Sequence, residues 1–145
     1  MRADPRIEEA IKALLEKVNQ AYARKDTKTL MSCYSRDEDL VVFGTGKHER
    51  YLGPAEFKAG LILGDFAQAD NVQSKFTWMS VSASGPVAWV AADMYVSAEI
   101  KGQTRQFKGR LTAVLERVMG QWFIMQSHFS LPAESQAEGR SFPSR

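Results

Sequence analysis

Three polar residues in the second half of the chain could carry out acid–base chemistry: Asp93, Arg110 and His128. A histidine can donate or accept a proton near neutral pH, an arginine can hold an anionic or enolate oxygen, and a carboxylate can orient either partner. The alternative is structural, with Asp93 and Arg110 forming a cross-strand ion pair and His128 acting as a hydrogen-bonded histidine of the sheet. The choice depends on how the strands that carry these residues pair.

The turns between the predicted strands allow that pairing to be estimated. A two-residue turn at Lys101-Gly102 would place Asp93 opposite Arg110. A three-residue turn ending at Gly120 would place Arg110 opposite His128 and complete a row across three strands. A shift of one residue in either turn would undo this arrangement, because side chains alternate between the two faces of a sheet.

The same pairing sorts the strand residues onto two faces. The apolar face would include Leu111, Leu115, Phe123, Met125 and Phe129. The other face, which would also carry Trp122, mixes aromatic and hydrogen-bonding groups, as small-molecule pockets do. We expect ligand contacts there from Trp89, Tyr95, Thr112 and Gln126, and a further contact from Trp78, which could stack on a flat substrate. The tryptophans could instead belong to the core or to an interface, and the mixed face could be a dimer interface rather than a pocket.

A long helix is predicted at the start of the chain. Apolar residues recur at spacings of three and four from Ile7 to Tyr22, which indicates one buried stripe. Asp4 can cap this helix, and Pro5 suits its first turn. Tyr22 ends the stripe and is interpreted as a core residue, although its hydroxyl could reach a cavity.

Shorter elements follow the first helix. Asp26 can cap a short helix from Thr27 to about Tyr34. The apolar run at residues 40–43 predicts a buried strand, and residues 48–52 predict a second one. Pro54 can then begin another helix.

The second half of the chain reads as an antiparallel meander. Four long strands are predicted at residues 72–83, 87–100, 103–117 and 122–130, and short turn sequences separate them. Connections this short make neighbouring strands antiparallel. Helices followed by a meander predict an α+β domain with the helices on one face of a curved sheet.

Composition bounds the class of protein. With 145 residues, 44% of them hydrophobic, the chain predicts one domain at residues 1–131 and a flexible tail at 132–145. The net charge of +2 favours neither a nucleic-acid nor a membrane partner. The single cysteine excludes an internal disulfide, and two histidines argue against a zinc site. No signal peptide or apolar run of about 20 residues is evident, so we expect a cytoplasmic protein.

Segments spread over nearly the whole chain resemble the SnoaL-like group of the nuclear transport factor 2-like superfamily, to which the ketosteroid isomerases belong. They are AYARKD at 21–26, Leu30 with Tyr34, VVFGT at 41–45, GPAEF at 53–57, RLT at 110–112, GQWFI at 120–124 and HFS at 128–130. Their order and spacing carry the resemblance. It implies a cone-shaped fold with a bent antiparallel or mixed sheet around the helices, an internal pocket open at one end and, commonly, a homodimer.

The resemblance does not imply one activity, because the superfamily includes isomerases, polyketide cyclases, dehydratases and kinase association domains. A ketosteroid isomerase needs a carboxylate at the end of the first strand, where this chain has Phe43-Gly44. It also needs a helix tyrosine, where this chain has Val18, and a protonated aspartate on a late strand, where it has Leu111 or Arg110. Steroid isomerisation by that route is therefore disfavoured. SnoaL-type cyclases use an aspartate on a late strand, for which Asp93 is the candidate.

We therefore expect a homodimer that binds a small organic molecule without a cofactor or metal. It could isomerise, cyclise or hydrolyse that molecule, with His128 transferring the proton, Arg110 holding the anion and Asp93 orienting a partner. Tyr34, which the resemblance places at the pocket, would be a further ligand contact. The alternative is a non-enzymatic ligand-binding or association module whose polar row lies in a dimer interface.

Overall fold

Helices cover one face of a six-stranded sheet in a computed structural model that describes residues 1–143. The helices are α1 (Pro5–Ala23), α2 (Thr27–Ser32), α3 (Gly53–Gly60) and α4 (Phe66–Gln68), and a π-helical turn (Leu61–Asp65) joins the last two. The expected α+β class is confirmed.

Side-chain caps begin the first two helices where the sequence predicts them. The Asp4 carboxylate accepts a hydrogen bond of 2.8 Å from the backbone N–H of Arg6 at the start of α1. The Asp26 carboxylate accepts one of 3.1 Å from the N–H of Thr29 in α2. Each bond satisfies an N–H that has no partner within its helix.

The sheet is mixed rather than purely antiparallel. Its strands are β1 (Val41–Phe43), β2 (Arg50–Leu52), β3 (Ala69–Ser84), β4 (Val87–Ile100), β5 (Gln103–Val118) and β6 (Gln121–Ser130). They lie in the order β2-β1-β6-β5-β4-β3, and β1 runs parallel to β6. The predicted four-strand meander, β3 to β6, is confirmed. Strand β1 extends the sheet by pairing in parallel with β6, and β2 pairs with β1 at the edge.

The predicted register is right for one turn and wrong for the next. Asp93 lies opposite Arg110, as expected. The turn before β6 has two residues rather than three, because Met119 and Gly120 both adopt positive φ angles, of 50° and 81°. That is the geometry of a tight hairpin turn. This turn and a one-residue bulge farther along β6 together place His128 opposite Thr112 and Arg110 opposite Ser130.

The two-residue turn also changes the predicted faces at the start of β6, because it places Ile124 opposite Leu115 in the core. Phe123 then pairs with Glu116 on the opposite face, and Trp122 packs against the core instead. The pairing then shifts by one residue between Leu115 and Val114. The extra residue of a β-bulge reverses the alternation beyond it, which no pattern of period two can anticipate.

The core forms where α1 packs on the sheet. Ile11 and Leu15 of α1 are almost fully buried, as are Leu115 and Ile124 of the sheet. We call this covered side of the sheet the inner face and the opposite side the outer face. The apolar face predicted for β4 and β5 is the inner face, because burial of apolar surface holds the helix and sheet together.

The chain after the sheet has no regular structure in the part described. Strand β6 ends at Ser130, and residues 131–143 form no helix or strand. The domain boundary at 131 and the flexible tail stay predictions, and the tail's last two positions, 144–145, lie outside the described residues. None of the helices described is both long and apolar enough to span a membrane.

Candidate functional site

A cavity of about 430 Å³ lies between the inner face and the helices α1 and α3 with the π-helical turn. Its walls are mainly apolar, and they include the rings of Tyr34, Phe57, Phe76, Phe107 and Phe129. This volume falls within the range of pockets that enclose small organic molecules. The candidate site is defined by five of the polar residues that line it: Asn19, Tyr22, Tyr34, Glu49 and Asp65.

Tyr22 and Asp65 form a hydrogen-bonded pair in the cavity wall. The Tyr22 hydroxyl donates to Oδ2 of Asp65 at 2.6 Å. Tyr22 lies near the end of α1, and Asp65 is the last residue of the π-helical turn. Burial raises the pKa of Asp65, and the bond from Tyr22 opposes that rise. Burial and the neighbouring Asp65 raise the pKa of Tyr22 well above its ordinary value, so Tyr22 remains a hydrogen-bond donor.

The same end of α1 is also held to this region by a lysine. Lys25 follows α1 with a positive φ of 55°, and its Nζ donates to the carbonyl oxygen of Phe66 at 2.7 Å. The same Nζ pairs with Asp70 at 2.5 Å. These contacts hold the segment after the π-helical turn against α1, which keeps Asp65 beside Tyr22.

Asn19 lies one helical turn before Tyr22 on the same side of α1. Its Nδ2 is buried and has no hydrogen-bond partner among the described residues. Leaving a buried donor unpaired costs free energy, so such a group marks a place where a ligand oxygen or an ordered water can bind. Asn19 therefore supplies a donor a short distance from the Tyr22–Asp65 pair.

Glu49 reaches the cavity from the turn between β1 and β2. Backbone bonds between Gly44 and Glu49 (2.8 Å) and between Glu49 and Gly46 (3.0 Å) close this turn. A side chain at position 44 would overlap the Glu49 carboxylate, so glycine there makes room for it. The charge of Glu49 contributes to raising the pKa values of Tyr51 and Asp65.

Tyr34 lies deeper in the cavity. Its side chain is 8% exposed, and its ring centroid is 4.7 Å from that of Phe57. Backbone bonds from Ser35 and to Cys33 attach this segment to Ile124 of β6. Burial raises the pKa of the Tyr34 hydroxyl, and nearby Ser127 partly opposes the rise. Tyr34 is thus a protonated, buried group on the cavity wall.

The family model of the SnoaL-like domain matches residues 11–134. The chain belongs to the SnoaL-like family. The matched region runs from α1 to just beyond β6 and so contains all of the candidate site. None of the curated proteins compared with this SnoaL-like chain is similar enough in sequence to count as a match.

Solved structures share the fold of this SnoaL-like domain at low identity. A nuclear transport factor 2-like superfamily protein from Salmonella enterica serovar Typhimurium is 15% identical, with 95% of this chain and 99% of that chain covered and a TM-score of 0.83. A hexachlorocyclohexane dehydrochlorinase, type 2, is 14% identical, with 86% and 84% covered and a TM-score of 0.76. A Xanthomonas campestris protein, provisionally assigned as a calcium/calmodulin-dependent protein kinase II association domain, is 20% identical, with 86% of each chain covered and a TM-score of 0.75. These similarities establish the cone fold and leave the activity open.

The three residues predicted for catalysis lie on the outer face of the SnoaL-like domain. Asp93, Arg110 and His128 are exposed and are not among the residues that line the cavity. No ion pair within 4.0 Å joins Asp93 to Arg110 in residues 1–143. The ring of His128 stacks at 5.2 Å on Phe43 instead. Their catalytic roles stay predictions, and their position favours the alternative in which this face meets a partner.

The residues predicted to bind a ligand divide between the two faces. Tyr34 lines the cavity. Trp78 pairs with Asp93, and Tyr95 pairs with Lys108, on the outer face. The other three, Trp89, Thr112 and Gln126, meet at a shallow depression on the outer face. The sequence correctly predicts one shared face for Trp89, Tyr95, Thr112 and Gln126. The helices cover the opposite face, so these four residues do not line the cavity.

Sequence reasoning missed most of the polar groups of the cavity. Tyr22 was interpreted as core, and Asn19, Glu49 and Asp65 were not considered as candidates. Tyr22 and Asp65 are 43 residues apart, so no local spacing connects them. One signal was present, because Asn19 is a polar residue close to the apolar stripe of α1. In a SnoaL-like fold, that side of α1 faces the cavity.

Proposed function

We propose that this SnoaL-like domain binds a small organic molecule in its cavity and moves a proton on it through Asp65. The observation that carries the proposal is the 2.6 Å bond between Tyr22 and Asp65 inside the cavity, beside the unpartnered amide of Asn19. A carboxyl group paired with hydrogen-bond donors, in an apolar enclosure, suits reactions of the isomerase or cyclase type.

Each polar group has a defined part in such a reaction. Asp65 takes and returns the proton, and its raised pKa makes it a stronger base than an ordinary aspartate. Tyr22 orients the carboxylate by donating to Oδ2. Asn19 donates to a ligand oxygen on which negative charge develops when a neighbouring C–H loses its proton. The aromatic walls exclude water and hold the body of the ligand.

Exchange of carbon-bound hydrogen tests this proposal without knowledge of the natural substrate. A panel of small ketones and enones is incubated with the protein in D₂O, and deuterium uptake next to the carbonyl is followed by NMR. We expect uptake above the buffer rate for the compounds that fit. We expect Asp65→Asn to lower that uptake by at least about 100-fold, since a general base contributes 10²–10⁴-fold.

Asp93→Asn is the matched control, because it removes a carboxylate from the outer face. We expect this variant to keep the uptake of the unmodified protein. Loss of uptake in Asp93→Asn but not in Asp65→Asn would overturn the proposal and restore the site predicted around Asp93, Arg110 and His128. Absence of uptake and of binding across the whole panel would also contradict the proposal.

Association through the outer face is the second candidate function. Two tryptophans on this face, Trp78 and Trp89, are 54% and 41% exposed. Exposed aromatic rings beside a shallow depression are typical of protein interfaces. The fold that this chain shares with the Xanthomonas campestris protein supports an association role. A homodimer would cover this face and leave the cavity of each subunit available.

A further inference from the structure

The charged side chains that line the cavity are all acidic. Asp65 and Glu49 line it, whereas no lysine, arginine or histidine does so among the residues that the structure describes. Lys25, whose Nζ contacts Phe66 and Asp70, is not part of the wall. A carboxylate held away from water without a cation is unfavourable, and a positively charged ligand would relieve that cost.

The two acidic residues influence the same region of the cavity. Glu49 contributes to raising the pKa of Asp65 and that of Tyr22, so its negative charge reaches both members of the hydrogen-bonded pair. Neither carboxylate forms an ion pair within the described residues. The negative potential of this end of the cavity is therefore not balanced by the chain itself.

Aromatic rings line the same cavity as these carboxylates. Tyr22 is one of them, and the rings of Tyr51 and Phe57 lie 6.1 Å apart. Phe57 in turn lies 4.7 Å from Tyr34. The faces of aromatic rings attract cations, and ammonium groups bind in sites where such rings lie beside carboxylates.

We infer that the molecule bound in this cavity carries an amine or quaternary ammonium group in addition to the reacting oxygen, with its cationic nitrogen beside Glu49 and Asp65 and its apolar body against the aromatic wall. The inference rests on the proposed function, because it requires the cavity to bind a small molecule. It goes further in excluding carboxylates, phosphates and sulfonates, for which the cavity wall offers no cation.

Three benzene derivatives of similar shape separate charge from size. N,N,N-Trimethylanilinium is a cation, tert-butylbenzene is its uncharged counterpart, and benzenesulfonate is an anion with a similarly tetrahedral group. Dissociation constants are measured by following the amide signals of cavity residues in NMR titrations. We expect the cation to bind at least about tenfold more tightly than tert-butylbenzene, because a desolvated cation on aromatic rings gains about 2 kcal/mol. We expect no binding of benzenesulfonate.

A pair of glutamate variants tests the role of Glu49. Glu49→Gln should weaken trimethylanilinium binding by about tenfold and leave tert-butylbenzene binding unchanged, because it removes charge and keeps shape. Glu16→Gln is the matched control, since Glu16 is an exposed residue of α1 and does not line the cavity. It should change neither affinity.

The outcomes distinguish the two proposals. Equal binding of the cation and tert-butylbenzene, or tighter binding of benzenesulfonate, would overturn the ammonium inference and leave a small-molecule cavity in place. An equal loss of cation binding in Glu49→Gln and Glu16→Gln would overturn it as well, because the effect would be one of net charge. Failure of all three compounds to bind would overturn the ammonium inference, and deuterium uptake by the ketones and enones decides the proposed function separately.

Discussion

At the scale of residues, Asp65 is a carboxyl group whose pKa is raised by its surroundings. It is a carboxylate in a largely apolar cavity, where Tyr22 is its hydrogen-bond partner and Glu49 adds negative charge. An ionised aspartate has a lower free energy in water than in such a cavity, so Asp65 lowers the stability of the fold at neutral pH. Such a conflict between stability and environment is common where a residue serves a reaction or a ligand.

Asp65→Asn should therefore stabilise the protein at pH 7. Because burial raises the pKa of Asp65 above its unfolded value, the folded protein holds this proton more tightly than the unfolded chain does. Asp65 therefore contributes to the stability of the folded protein at pH values below its pKa in the unfolded chain. That contribution is lost as the pH rises through the pKa of Asp65 in the folded protein. Urea unfolding at pH 7 should show a higher free energy for the variant, and unfolding at pH 3 should show little difference.

Asp93→Asn is the control for this measurement, since Asp93 is exposed on the outer face. Asp93→Asn should not show a free energy of unfolding that is raised at pH 7 but not at pH 3. A loss of stability in Asp65→Asn of equal size at both pH values would mean that the hydrogen bond from Tyr22, not the buried charge, dominates at this position.

At the scale of elements, a glycine in β5 shapes the cavity wall. Gly109 pairs with Met94 on the inner face, and a Cβ at position 109 would overlap the ring of Phe129 on β6. Phe129 lines the cavity, so the missing side chain at position 109 makes room for its ring there. The close approach of strand and ring here depends on glycine rather than on any special backbone angle.

Gly109→Ala should displace the Phe129 ring and destabilise the protein by about 1–3 kcal/mol, as overpacked cores do. Urea unfolding measures the loss, and NMR signals of the Phe129 ring report the displacement. Gly64→Ala is the control, because a Cβ there meets nothing within 4 Å. It should leave stability unchanged or raise it by up to about 1 kcal/mol, since alanine favours a helix more than glycine does. Equal effects of the two substitutions would show that the ring contact is not the cause.

At the scale of the whole molecule, the two faces of the sheet have separate uses. The inner face closes the cavity with the helices, and the outer face presents Trp78 and Trp89 to solvent in a single chain. Exposed tryptophans cost less free energy when a second chain covers them. The proposed cavity chemistry and the proposed association therefore occupy opposite sides of one sheet.

Trp89→Glu should convert a dimer of this chain into a monomer. Trp89 lines the depression on the outer face, and a buried glutamate there would lack a partner. Sedimentation velocity at several concentrations would measure the mass. Met119→Glu is the control, because Met119 lies in the turn before β6 and is 99% exposed. This variant should remain a dimer. A monomer in the unmodified protein, or a dimer in Trp89→Glu, would contradict association through this face.

Local patterns determined much of the fold from the sequence. The helix caps at Asp4 and Asp26, the four-strand meander and the pairing of Asp93 with Arg110 all follow from interactions between residues close in sequence. The register before β6 did not follow, because it depends on Met119 taking a positive φ and on a bulge in the strand. Each of these features shifts the pairing without altering the hydrophobic pattern.

The sequence alone determined which residues of β4 and β5 share a face and that one such face is apolar. Only the tertiary structure decided that α1 covers that apolar face, which directs Asp93, Arg110 and His128 outward. It also decided that Tyr22 and Asp65, from separate helical segments, meet at 2.6 Å. The physical reason is one of range. Alternation and capping act over a few residues, whereas the cavity forms where distant segments converge to bury apolar surface.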